Sequence, residues 1–149
     1  MSGITKRHFI SLGVGALALA GGGYAWSQSA GGGAGKPTFE DVHMTLAEMQ
    51  AVGGLIVDIR RPDEWAETGV IEGATLLTFE SPTSFLAQIG PQIADGRPLV
   101  LICRSGNRSR LAAEALAPLI PNRIISVNGG MSERIAQGAP VVKPVCATC

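Results

Sequence analysis

A chain of 149 residues has room for one domain of ordinary size and little else. Twelve cations balance twelve anions, so there is no basic field to grip phosphates, and nucleic acid is excluded as a partner. Lys6 and Arg7 precede the globular part, whereas every acidic residue follows Lys36, so a local cluster of arginines stands out against a mildly acidic remainder.

Residues 1–30 read as a targeting segment. Lys6-Arg7 leads, an apolar run of 18 residues from Phe9 to Trp26 follows, and small residues come after it. Thr5-Lys6-Arg7-His8-Phe9-Ile10 resembles a twin-arginine export signal with Lys in place of the first Arg. Ala25-Trp26-Ser27 and Ser27-Gln28-Ser29 both fit a small-x-small cleavage site. A cleaved signal and an uncleaved anchor are both open, since 18 residues is the lower limit for a membrane span and five of these are Gly. A membrane is a partner only in the anchored case. Either case places the domain outside the cytoplasm, in the periplasm or exported. Residues 31–37 read as a Gly-rich flexible linker.

The globular domain starts near Thr38. Thr45-Leu46-Ala47-Glu48 is a capping box, and the helix it opens should end at Gly53-Gly54. Leu55 to Ile59 is a continuous apolar run, as expected for a parallel strand covered on both faces. Asp58 lies at the carboxyl end of that strand, where parallel sheets place their sites. It is either a salt bridge fixing the Arg60 turn or a partner for a loop arginine. Arg60 to Trp65 leaves the strand and begins a short helix, with Pro62 in its first turn and Trp65 as core. Thr75 to Phe79 reads as a strand, and Ser81-Pro82 opens a helix to about Ile93, broken at Gly90-Pro91. Asp95 to Pro98 turns into the strand Leu99 to Ile102, and the helix beyond the next loop ends near Pro118. Arg123 to Val127 is the last strand. Asn128-Gly129-Gly130 is a turn needing positive φ, and Ser132 to Gln137 is a final helix stopped by Gly138. Strands alternating with helices predict an α/β fold: one parallel sheet flanked by helices on both faces.

The chemistry concentrates between Leu99 and Arg110. A buried strand ends at Cys103, a short polar loop runs through Arg104, Ser105, Gly106, Asn107 and Arg108, and a helical pattern begins at Ser109. Strand, cysteine, tight loop and helix put a thiol at the mouth of a ring of backbone N–H groups, facing the positive end of the helix. A thiolate is stabilised in such a place, and the thiolate is the form that attacks. Arg104, Arg108 and Arg110 add positive charge. A cysteine at the end of a strand can also be a small core hydrophobe. The electropositive loop favours a nucleophile that handles a small anion.

Cys103-Arg104-Ser105-Gly106-Asn107-Arg108-Ser109 resembles the active-site loop of rhodanese-type sulfurtransferases. Leu55-Ile56-Val57-Asp58-Ile59-Arg60, Glu64-Trp65 and Gly69-Val70-Ile71-Glu72-Gly73-Ala74 are similar to that family's upstream signature, and Val127-Asn128-Gly129-Gly130-Met131 to its Gly-Gly turn. Val70 stands where the family usually has His, and Ile135 lies where an aromatic often closes the domain. The resemblance implies a single rhodanese-like domain over residues 38–142. It implies Cys103 as catalytic nucleophile and Arg104, Ser105, Gly106, Asn107, Arg108 and Ser109 as the substrate-binding loop. Asp58 and Arg60 support that loop, and no metal or organic cofactor is required. Sulfane sulfur would pass from a small anionic donor, thiosulfate or a persulfide, through a cysteine persulfide to a thiol, cyanide or protein acceptor. A persulfide carrier or redox-sensing module of the same fold is the alternative. A cysteine phosphatase or arsenate reductase is disfavoured. The phosphatase loop takes five residues between Cys and Arg, whereas four separate Cys103 from Arg108.

Residues 143–149 form a tail that the resemblance does not explain. It ends in Cys146-Ala147-Thr148-Cys149. Such spacing suits a disulfide, a redox pair exchanging with Cys103, or two ligands of a metal. His43 is the one further ligand candidate beyond the targeting segment, too few to complete a zinc site.

Overall fold

The computed structural model describes residues 38–145. Five strands, β1 (Glu40–Val42), β2 (Leu55–Asp58), β3 (Thr75–Leu76), β4 (Leu99–Ile102) and β5 (Ile124–Val127), form one parallel sheet in the order β1-β5-β4-β2-β3. The helices are α1 (Leu46–Ala51), α2 (Pro62–Thr68), α3 (Pro82–Ile93), α4 (Asn107–Leu116) and α5 (Gly130–Ala136).

β4 sits at the centre of the sheet, and its four residues are all buried. Side chains alternate across a strand, so Leu99, Leu101 and Cys103 share one face and Val100 and Ile102 the other. The first face packs against Phe85, Ile89 and Ile93 of α3 and Ala112, Ala113 and Leu116 of α4. The second packs against Met49 of α1 and Met131 of α5. This is the expected sheet with helices on both faces, and it carries Cys103 to the carboxyl end of the central strand.

Several local expectations are met. Thr45 and Glu48 close the capping box, with Thr45 N–H donating to Glu48 Oε2 at 2.7 Å and Glu48 N–H to Thr45 Oγ1 at 3.2 Å. Trp65 is buried in the core. Val70 is buried and forms an antiparallel bridge with Val142, which ties the end of the described chain to the domain.

Five details differ from the sequence expectation, one of them the start of α4 at Asn107 rather than Ser109. β1 is a short edge strand with one apolar residue, Val42, too brief for an alternation to show; its Glu40 is paired with Arg123. β3 stops at Leu76 instead of Phe79, because its neighbour β2 ends at Asp58 and Thr78 Oγ1 turns to donate to Arg60 O at 2.7 Å. α3 runs unbroken through Gly90-Pro91. A proline inside a helix costs about 3 kcal/mol. Phe85, Ile89 and Ile93, one turn apart and all buried, offset that cost by packing on the sheet. α5 begins at Gly130 rather than Ser132. The first N–H groups of a helix lack internal partners. Here Met131 N–H donates to Cys103 O at 2.8 Å and Ser132 N–H to Arg104 O at 2.9 Å, so the helix starts on the Cys103 loop itself.

Candidate active site

Cys103 leaves β4 fully buried, with its sulfur turned into the loop that follows. Gly106 N–H donates to Sγ at 3.1 Å and Ser109 N–H at 3.4 Å. The geometry depends on glycine at two places. Gly106 is left-handed, φ +97°, and a Cβ there would lie 3.0 Å from Gly129 N. Gly130, φ +53°, lies so close beneath the loop that a Cβ would fall 2.4 Å from Cys103 O. The loop and the Gly129-Gly130 turn are thus pressed backbone to backbone. α4 starts at Asn107 and directs its N-terminal end at the same sulfur.

The six loop residues divide by role. Gly106 and Ser109 are buried and supply the donors to sulfur. Arg104, Ser105 and Asn107 are exposed at the rim. Arg108 commits both terminal nitrogens to Glu64, NH1 to Oε2 at 2.7 Å and NH2 to Oε1 at 2.5 Å. Arg104 makes no side-chain hydrogen bond or ion pair among the described residues, so it is the loop guanidinium open to an anion. It borders a cleft of about 210 Å³ whose walls include Glu67 of α2 and Met131 and Ile135 of α5. A second, more apolar groove of about 340 Å³ lies on the α4 side, between Phe79, Arg108 and Leu111.

Asp58 and Arg60 are fully buried and bind each other. Arg60 NH2 and Nε reach the Asp58 carboxylate at 2.7 and 3.0 Å. Arg60 also donates to Glu64 O, Thr68 Oγ1 and Gly69 O. The pair therefore ties the end of β2 to α2, the salt-bridge alternative of the two expected for Asp58. The carboxylate that holds a loop arginine is instead Glu64. Its Oε2 also accepts Arg61 N–H at 3.0 Å, at the start of α2. An acid two residues after Pro62 marks a helix start, but its second role depends on a contact 44 residues away.

The Arg108 guanidinium holds the Glu64 carboxyl down at about 2, against the opposing effect of burial. A carboxyl depressed in the folded state stabilises the fold above its unfolded value, and that stability is lost as pH falls through the folded value. Glu64→Gln is expected to be less stable than wild type by about 1–2 kcal/mol near neutral pH. The gap should close between pH 4.5 and about 2, the window set by the ordinary and the folded values. Urea midpoints at several pH values check this; a gap that stays constant down to pH 2 contradicts it.

Ser126 stands behind Ser109, its Oγ donating to Ser109 Oγ at 3.0 Å. The sequence reading did not single it out, although a lone hydroxyl in the apolar strand Ile124–Val127 was a visible signal. Among the described residues no group of three His, Cys, Asp or Glu could hold a metal ion, and no helix is long and apolar enough to cross a membrane. Cys146 and Cys149, and the residues 1–30 and 31–37 expected to be a targeting segment and a linker, lie outside the described residues.

The family model of the rhodanese-like domain matches residues 42–136. A sulfurtransferase from Allochromatium vinosum is 33% identical over 105 residues, covering 70% of this chain and 92% of that protein. A rhodanese-related protein from Thermoplasma volcanium superposes with a TM-score of 0.54 at 27% identity, covering 68% of this chain and 98% of that one. A Rhodopseudomonas palustris protein of unknown function, described as a possible tyrosine phosphatase, has a TM-score of 0.60 at 24% identity, covering 70% of this chain and 85% of that one. This last likeness concerns the fold alone.

Proposed function

Because the chain belongs to the rhodanese-like domain family, we propose that it is a sulfurtransferase working through a persulfide on Cys103, with thiosulfate or a low-molecular-weight persulfide as donor. What supports the reading is the pair of backbone N–H groups, of Gly106 and Ser109, aimed at one sulfur. Preorganised donors of this kind favour negative charge, and losing one typically costs 10²–10³ in rate, as an order of magnitude.

In the first half-reaction the Cys103 thiolate attacks the outer sulfur of thiosulfate. The S–S bond of the donor breaks, and sulfite leaves with the electron pair. Arg104 draws the dianion to the rim. In the second half-reaction a thiolate, cyanide or protein thiol attacks the outer sulfur of the persulfide, and the Cys103 thiolate departs. The enzyme-borne charge moves only between Sγ and the outer sulfur, and two covalent exchanges replace one difficult transfer. Steady formation of thiocyanate from thiosulfate and cyanide tests the reading; its absence with both thiosulfate and a small persulfide overturns it.

The tail thiols have a place in the same scheme. One of Cys146 and Cys149 takes the outer sulfur from Cys103. The other then attacks the inner sulfur of that persulfide; the bond to the outer sulfur breaks, hydrosulfide leaves with the electron pair, and the disulfide that closes is reopened by an external dithiol. Val145, the last described residue, is exposed at the border of a cleft that Val70 and Leu76 also line. The double variant Cys146→Ser, Cys149→Ser is expected to lose at least about threefold in turnover with a dithiol acceptor while keeping its rate with cyanide, an effect of effective concentration. Unchanged dithiol turnover sinks this role.

A further inference from the structure

Two serine hydroxyls stand in line behind the nucleophile. Ser109 Oγ is 3.6 Å from Cys103 Sγ and donates to Gly106 O at 2.9 Å. Ser126 Oγ donates to Ser109 Oγ at 3.0 Å. Both serines are fully buried. Ser126 is aligned with Leu101 on β4, and Ile124, two residues before it, packs in the same cluster as Cys103. Its strand neighbours are Ile124, Ile125 and Val127, so alanine would fill this position without burying a hydroxyl. Packing alone gives no reason for serine there.

We infer that Ser126 is a positioning residue of the sulfur-transfer site, holding Ser109 Oγ as a switchable donor to Cys103 Sγ. With a neutral thiol, Ser109 Oγ accepts from S–H and from Ser126 and donates to Gly106 O, which uses its full capacity. When Sγ is a thiolate, the S–H donor is gone, and the Ser109 O–H turns from Gly106 O to the sulfur. Ser126 keeps donating into Ser109 Oγ, which strengthens that bond. In the persulfide the charge moves to the outer sulfur, and Ser109 returns to Gly106 O. When the acceptor attacks the outer sulfur, the S–S bond breaks and Sγ leaves with its electron pair, meeting the Ser109 donor again. No net proton moves.

The consequence differs between the two half-reactions. A hydrogen bond that stabilises the thiolate makes it a better leaving group, while its greater abundance and lower nucleophilicity offset each other during charging. Ser126→Ala is therefore expected to slow persulfide discharge by about 3–10-fold, the worth of one ordinary hydrogen bond. The KM for thiosulfate should stay unchanged, and charging should change by less than about twofold. The pH profile of Cys103 alkylation by iodoacetamide should move to higher pH in the alanine variant, because the thiolate loses part of its hydrogen-bond support. Ser126→Thr keeps the hydroxyl and should restore both properties.

The inference rests on the sulfurtransferase reading, so the experiment has two arms. Wild type, Ser126→Ala and Ser126→Thr are charged with thiosulfate, freed of excess donor and mixed with cyanide, and the discharge rate is followed. The alkylation profile is recorded separately on the uncharged proteins. Slow discharge and a raised midpoint in the alanine variant, both restored by threonine, support the role. Equal rates and equal profiles in all three overturn it, as does a threonine variant as impaired as the alanine one, since the loss then follows packing. If wild type takes up no sulfur, the transfer reading fails on its own, and the alkylation profiles alone decide the role of Ser126.

Discussion

Cys103→Ser is expected to lose sulfur transfer by at least about 10³-fold, the scale seen when a covalent nucleophile is removed. A serine hydroxyl stays protonated near neutral pH and cannot hold a sulfane sulfur as a persulfide. The two N–H groups that face Sγ would face Oγ instead, so the new hydroxyl has partners and the fold should persist. The stability loss should be about 1–2 kcal/mol, the cost of placing a polar group in an apolar cluster when it is hydrogen-bonded. Thiocyanate formation and a urea midpoint, measured on the same preparation, separate the two effects. A folded variant retaining a tenth of wild-type turnover would move the nucleophile elsewhere.

Gly130→Ala should be the most damaging single methyl group at the site. The added Cβ would meet Cys103 O at 2.4 Å and the carbonyl carbon and oxygen of Arg104 at 2.6 Å. All three are backbone atoms, so no side chain can swing aside. The left-handed backbone adds about 1 kcal/mol of its own. Relief requires the turn to move off the loop, which breaks the bonds from Met131 N–H to Cys103 O and Ser132 N–H to Arg104 O. Together these suggest a loss of about 3 kcal/mol or more and a fall in Tm of about 10 °C or more. Turnover should drop by about 10² as well, because a displacement near 1 Å misaligns the donors. Gly73→Ala is the control: φ is +79°, but nothing lies within 4 Å of the added carbon. It should cost only about 1 kcal/mol and leave turnover intact. Equal thermal stability of the two variants would contradict the close approach.

The parts of this molecule that were legible in the sequence are those with local causes. The apolar runs of β2 and β4, the Thr45–Glu48 capping box and the Gly129-Gly130 turn each state their conformation within a few residues. The Cys103 loop was legible for the same reason, since strand, loop and helix are contiguous. What could not be read depends on distant partners. α3 passes through Pro91 because the sheet rewards its buried face, and α5 starts early because the carbonyls of Cys103 and Arg104 receive its first N–H groups. Arg108 looks like a free cation in the sequence, yet Glu64, from another element, holds it. Ser126 is a single hydroxyl in an apolar strand until Ser109 is brought against it.

The most direct measurement is the intact mass of residues 36–149 after incubation with thiosulfate. One added sulfur, about 32 Da, on wild type, absent in Cys103→Ser and removed by cyanide, is the predicted result for covalent transfer through this thiol. An unchanged mass with both thiosulfate and a small persulfide, on a protein whose Cys103 still reacts with iodoacetamide, would contradict it.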